Sequence, residues 1–140
     1  MVNRLNGLIR ETSFIDSRAL ATSDVTPWHL FDHQGVIAVT DTEWASNRYP
    51  LHYDLALTFC RFWSFYPDHL NIAVDLLNEY MGKYIKSGSE LEKKHIRGLL
   101  ALRAIGQLRD AFLGKQGLQE HHRKLAEFVL SSENFVISTQ

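Results

Sequence analysis

The sequence predicts an α+β domain in which helix predominates, and three observations support this. The 140 residues fit one domain, and 45% apolar residues are enough to build a core. Short segments rich in β-branched residues come before residue 41, and long segments with helical periodicity follow. The later connections are short, which favours packed antiparallel helices. We expect one domain over 1–140, divided into a β-rich element (1–41), a bundle of four or five helices (42–131) and a tail or short strand (132–140).

Strand signals are concentrated near the N-terminus. Residues 8–14 alternate loosely between apolar and polar types and are compatible with a strand. Residues 28–31 and 36–40 are stronger candidates because they are rich in aromatic and β-branched types. The four residues between them form a permitted hairpin loop, in which Gly35 can adopt a positive φ. The sequence therefore predicts a β-hairpin at about 28–40.

Helix signals dominate the rest of the chain. Thr40 and Glu43 fit a capping box that would begin a short helix, and Ser89 and Glu92 fit a second one. Apolar residues surround nearly the whole of 51–65, as in a central buried helix. Three further helices are predicted, two of them with a clear apolar face, at 68–86, 89–113 and 118–130.

Histidines and carboxylates in the first half of the chain raise the question of a metal site. His29 and His33 would share a face only on a helix, and the strand signals are stronger there. We therefore interpret this region as a polar hairpin turn. The alternative is a small metal-assisted hydrolase. Its site would gather side chains where the hairpin meets the 51–65 helix: His29, Asp41, Glu43, His52 and Asp54.

A polar stripe lies on the otherwise apolar 51–65 helix. Asp54, Thr58 and Arg61 are spaced four and three residues apart, so they lie on one face. The stripe is interpreted as the solvent-facing edge of the helix. In the alternative it lines a pocket, where Arg61 would hold an anion.

Charge is segregated along the chain although the net charge is only −1. Residues 1–82 carry 5 basic and 10 acidic side chains, whereas residues 83–125 carry 10 basic and 4 acidic ones. The basic block has three interpretations. It forms a surface that binds nucleic acid, a surface that binds an acidic protein, or helix faces that only contact solvent. Its arginines at 97, 103 and 109 are six residues apart and do not form one stripe on a helix, so nucleic acid is not favoured.

Crowded aromatic and apolar side chains favour a protein partner, and a second copy of the chain is one candidate. More of them occur between residues 59 and 76 than one small core accommodates. The leading hypothesis is a non-enzymatic binding or regulatory protein that acts through protein–protein contact. The expected interface residues are Phe65, Tyr66, Ile72, Leu76, Lys93, Lys94 and Arg97.

The remaining sequence features bear on compartment and cofactors. A single cysteine, Cys60, fits a reducing compartment, and its apolar neighbours predict a buried, unreactive thiol. We see no signal peptide and no apolar run of about 20 residues, so we expect a cytoplasmic protein without membrane contact. Nucleotide-binding and hydrolase motifs are also absent from the sequence, and no cofactor is predicted.

Overall fold

The chain folds as an α+β domain made mostly of helix, as the sequence predicts. The structure is a computed structural model that describes residues 1–12, 14–16, 18–22, 25–43, 45–85, 89–114, 117 and 119–131. The predicted tail at 132–140 lies outside these residues. The described elements are α1 (Val2–Glu11), β1 (Arg18–Ala21), β2 (Leu30–His33), β3 (Val36–Val39), β4 (Ser46–Pro50), α2 (Tyr53–Phe65), α3 (Leu70–Tyr84), α4 (Glu90–Leu113) and α5 (Glu120–Leu130).

Helix α4 lies at the centre of the helical part. It packs against α1, α2 and α5, whereas α3 packs mainly against α2. Its buried residues are His95, Ile96, Gly98, Leu99, Leu100, Ala101, Ala104, Leu108 and Ala111. The capping box predicted for its start forms in part, because the Ser89 hydroxyl accepts a hydrogen bond from the Glu92 backbone N–H at 3.4 Å. Helix α2, which the sequence predicts to be central, packs against α4 and buries Ala56, Leu57, Phe59, Cys60 and Trp63.

The strand suggested for residues 8–14 is wrong, because residues 2–11 form helix α1. Leu5, Leu8 and Ile9 follow helical spacing, and all three pack into the core shared with α4 and α5. Burial of that apolar face outweighs the loose alternation that suggested a strand. The β-rich element predicted for 1–41 therefore begins with a helix.

Two separate two-stranded antiparallel sheets are formed by the described residues. Strand β1 pairs with β4, and β2 pairs with β3 in a hairpin with Leu30 opposite Val39 and His33 opposite Val36. The hairpin turn is two residues long, with Gln34 and Gly35 both at positive φ, as a type I′ turn requires. The Asp32 carboxylate accepts a hydrogen bond from Gly35 N–H at 2.8 Å, which stabilises this turn.

The hairpin is confirmed, but its bounds and its continuation differ from the prediction. Residues 27–29 form a 3₁₀ turn instead of strand, closed by a 2.9 Å bond from His29 N–H to the Thr26 carbonyl. The short helix predicted to begin at the capping box of Thr40 and Glu43 is wrong. Asp41 adopts a left-handed conformation (φ 60°), and the chain continues into strand β4.

Candidate functional site

The β2–β3 hairpin contributes no side chain to the buried core of the described residues. Every residue from 30 to 39 is exposed, including Phe31 (53%), Val36 (66%) and Ile37 (62%). Cross-strand partners share a face, so Leu30 and Val39 lie on one side of the hairpin and Phe31 and Ala38 on the other. Both faces are therefore partly apolar and both face solvent in the described part of the chain. We call Trp28, Leu30, Phe31, Val36, Ile37 and Val39 the hairpin surface.

One aromatic contact joins the hairpin to the helical bundle. The Trp28 and Phe65 rings meet edge to face, with their centroids 4.5 Å apart. Phe65 is half exposed, and the ring of Tyr66 beside it packs at a tilt against that of Phe62, with the centroids 4.9 Å apart. On α3, Ile72 and Leu76 are also exposed. The apolar residues expected at an interface thus lie at the surface, while their participation in a contact stays a prediction.

The five residues of the proposed metal set lie in different surroundings. His29 Nε2 contacts Asp41 Oδ2 at 3.2 Å, while Glu43 is exposed at the following turn. His52 immediately precedes helix α2 and Asp54 lies in its first turn, and the two side chains have separate partners. The described residues contain no group of three His, Cys, Asp or Glu side chains arranged to hold a metal ion.

His52 belongs to a part-buried polar cluster between α2, α3 and α4. Its Nδ1 lies 3.0 Å from the Tyr80 hydroxyl, and its ring centroid is 6.2 Å from that of His95. Burial, followed by the charge of nearby His95, lowers the pKa of His52, so the neutral ring is favoured. Burial also raises the pKa of Tyr80. His52 Nε2 and Glu92 Oε2 are both buried and lack a hydrogen-bond partner among the described residues.

His95 is the member of this cluster to which the sequence analysis assigned no role. It is fully buried, its Nδ1 accepts a hydrogen bond from Ile15 N–H at 3.1 Å, and its Nε2 lies 2.8 Å from the Leu51 carbonyl oxygen. The ring therefore carries its hydrogen on Nε2. One imidazole joins α4 to the segments that follow α1 and β4. In the sequence, the only indication of its burial was its position on the apolar face of the predicted 89–113 helix.

The polar stripe on α2 separates into two parts. The Asp54 carboxylate accepts hydrogen bonds from the backbone N–H (2.8 Å) and hydroxyl (3.2 Å) of Thr22. Thr58 donates its hydroxyl hydrogen to the Val25 carbonyl at 3.2 Å. These two residues thus bind the chain that follows β1, and they line a pocket of about 360 Å³ with His52 and Tyr80. Arg61 instead lines a different pocket, between α2, α4 and α5.

The basic residues of α4 have differing roles. Lys93 pairs with Glu90 at 2.9 Å, and its side chain is only 11% exposed. Arg97 donates hydrogen bonds to the carbonyl oxygens of Val129 (2.8 Å) and Leu130 (2.6 Å), which would otherwise be unpaired at the end of α5. Lys94 is exposed. Arg97 therefore stabilises a helix terminus. Its part in an interface stays a prediction.

Comparison with protein-family models, with curated proteins and with solved structures yields no match to this chain. Among the described residues, no helix combines the length and apolar character needed to cross a bilayer.

Proposed function

We propose that this chain acts through protein–protein contact, and that its first partner is a second copy of itself bound at the hairpin surface. The observation that supports this most directly is the exposure of residues 30–39 on both faces of the hairpin. A two-stranded hairpin is only marginally stable by itself, and exposed apolar patches usually mark interaction sites. A partner that covers this surface would stabilise the hairpin and shield its apolar side chains from water.

The composition of β3 favours a second copy as the partner. Its four residues, Val-Ile-Ala-Val, include no charge and no proline. Such an edge strand lacks the features that normally prevent pairing with another strand. Antiparallel pairing of β3 with β3 of a second copy is two-fold symmetric and brings no like charges opposite each other. Strand β2 contains Asp32 and His33 and is less suited to self-pairing.

Analytical ultracentrifugation over a wide range of protein concentrations tests this proposal. The wild-type chain is expected to show a concentration-dependent rise from the mass of one chain towards that of two. Ile37→Lys places two ammonium groups close to the symmetry axis, so we expect the rise to be lost. Leu113→Lys is the matched control, because Leu113 has a similar exposure (67%) at the end of α4.

Two results would refute the proposal. One is a wild-type chain that stays monomeric at every concentration. The other is loss of self-association in both variants, because that would show a general effect of added charge and not a contact at β3.

A further inference from the structure

A second site is indicated by the pocket between α2, α4 and α5. Its volume is about 450 Å³, within the range of small-molecule sites. Its cationic lining consists of Arg61 from α2 and Arg103 from α4. The α5 side contributes His121 and His122, and Gln107 and Asp110 come from α4. Three helices that pack against one another thus bring polar side chains into one concave site.

Two buried polar atoms in this lining lack partners among the described residues. Arg103 Nε is a donor without an acceptor. Gln107 donates from Nε2 to the Cys60 carbonyl at 2.6 Å, which leaves its Oε1 as a buried acceptor without a donor. A buried donor and a buried acceptor that are both unsatisfied are costly, and a ligand with complementary groups would satisfy them once the Arg103 and Gln107 side chains turn towards it.

Two hydrogen bonds fix the first residues of α5 beside this pocket. The Trp63 indole N–H donates to the His121 carbonyl at 3.0 Å, and His122 Nδ1 accepts from Gln119 N–H at 3.2 Å. In the neutral His122 ring, the hydrogen therefore lies on Nε2, which is a donor. Burial lowers the pKa of both histidines, so they contribute N–H donors without a full charge at neutral pH.

We propose that this pocket binds a small hydroxylated phosphate monoester. The Arg103 guanidinium would contact the phosphate, since its planar set of donors matches phosphate oxygens. Gln107 Oε1 would accept a hydrogen bond from a ligand hydroxyl. Asp110, whose Oδ1 accepts hydrogen bonds from Arg109 at 2.8 and 3.1 Å, also lines the pocket. Its carboxylate accepts hydrogen bonds from ligand hydroxyls and repels the phosphate itself. A ligand whose hydroxyls lie on carbon atoms away from the phosphate is therefore favoured over inorganic phosphate.

Binding is tested by NMR titration of the full chain at constant ionic strength with glycerol phosphate, inorganic phosphate, glycerate and glycerol. Glycerol phosphate is expected to give saturable shifts at the His121, His122 and Gln107 side chains, with weaker binding of inorganic phosphate and none of glycerol. Arg103→Gln is expected to weaken glycerol phosphate binding by about tenfold or more. Lys124→Gln, the same charge change at an exposed position on α5, should leave it unchanged.

Further variants separate the proposal from loss of folding. Arg103→Lys keeps the charge but removes the Nε donor, so its affinity should also fall while its circular dichroism spectrum stays native. Asp110→Asn should raise the affinity for inorganic phosphate. The proposal is overturned by an absence of saturable shifts up to about 10 mM ligand. Equal binding of glycerate and glycerol phosphate, or equal affinities in Arg103→Gln and Lys124→Gln, would also overturn it.

Discussion

The His95 imidazole and the Leu51 carbonyl oxygen, 2.8 Å apart, connect the second turn of α4 to the loop that precedes α2. The same ring accepts the Ile15 N–H on its other side. His95→Leu would leave two part-buried backbone groups unsatisfied, so we expect the free energy of unfolding to fall by about 2–4 kcal/mol. Urea denaturation measures this loss. His95→Gln retains hydrogen-bonding groups and should lose less; an equal loss would contradict the role assigned to these bonds.

Gly98 permits the close approach of α1 to α4. A Cβ atom there would lie 2.5 Å from Thr12 Cγ2, whereas one at Gly106 on the same helix would meet nothing within 4 Å. We expect Gly98→Ala to destabilise the protein by about 1–3 kcal/mol through overpacking. Gly106→Ala should instead stabilise it by up to about 1 kcal/mol, because alanine favours helix. Thermal unfolding of both variants checks this opposition, and a loss of stability in both would refute it.

Burial of three histidines makes stability depend on pH. Because burial lowers the pKa of His52, His121 and His122 in the folded state, the unfolded chain takes up protons first as the pH falls. The contribution of these histidines to the free energy of unfolding is complete above the pKa of histidine in the unfolded chain, about 6.5. It is lost as the pH falls below that value. Urea denaturation from about pH 8 to pH 5 should therefore show decreasing stability. His122→Gln should reduce the slope; an unchanged slope would argue against this origin.

Cys60 is confirmed as a buried thiol. It is fully buried, and burial raises its pKa to about 12. Since the thiolate is the reactive form, modification by a chromogenic disulfide at pH 7 should be very slow in the native protein. Its rate should rise with urea as the core opens. A native rate close to that of a free thiol would contradict the packing around α2.

Helical periodicity predicted most of the bundle, because burial of one face dominates the energetics of long helices. Ala73, Leu77 and Met81 occupy the buried face expected for α3. Sequence patterns predicted the wrong element where local pattern and tertiary burial disagree. The loose alternation at 8–14 suggested a strand, whereas burial of Leu5 one turn earlier belongs to a helical face. The polar composition of β4 gave no strand signal, although β4 pairs with β1.

The candidate sites were predicted less completely. Arg61 lines one pocket, whereas Asp54 and Thr58 on the same helix face line another and bind Thr22 and Val25. Side chains that share a helix face separate when different segments pack over each turn. Arg103 and Gln107 could not be assigned to a pocket, because their partners come from α2 and α5, which are distant in sequence.

Isotope-filtered NMR on an equimolar mixture of labelled and unlabelled chains tests β3 pairing most directly. A homodimer built on β3 gives intermolecular contacts between residues 36–39 of the two copies, and these vanish in Ile37→Lys but persist in Leu113→Lys. If the wild-type mixture shows no intermolecular contact at the hairpin at concentrations suited to NMR, the proposal that this surface carries the function is contradicted.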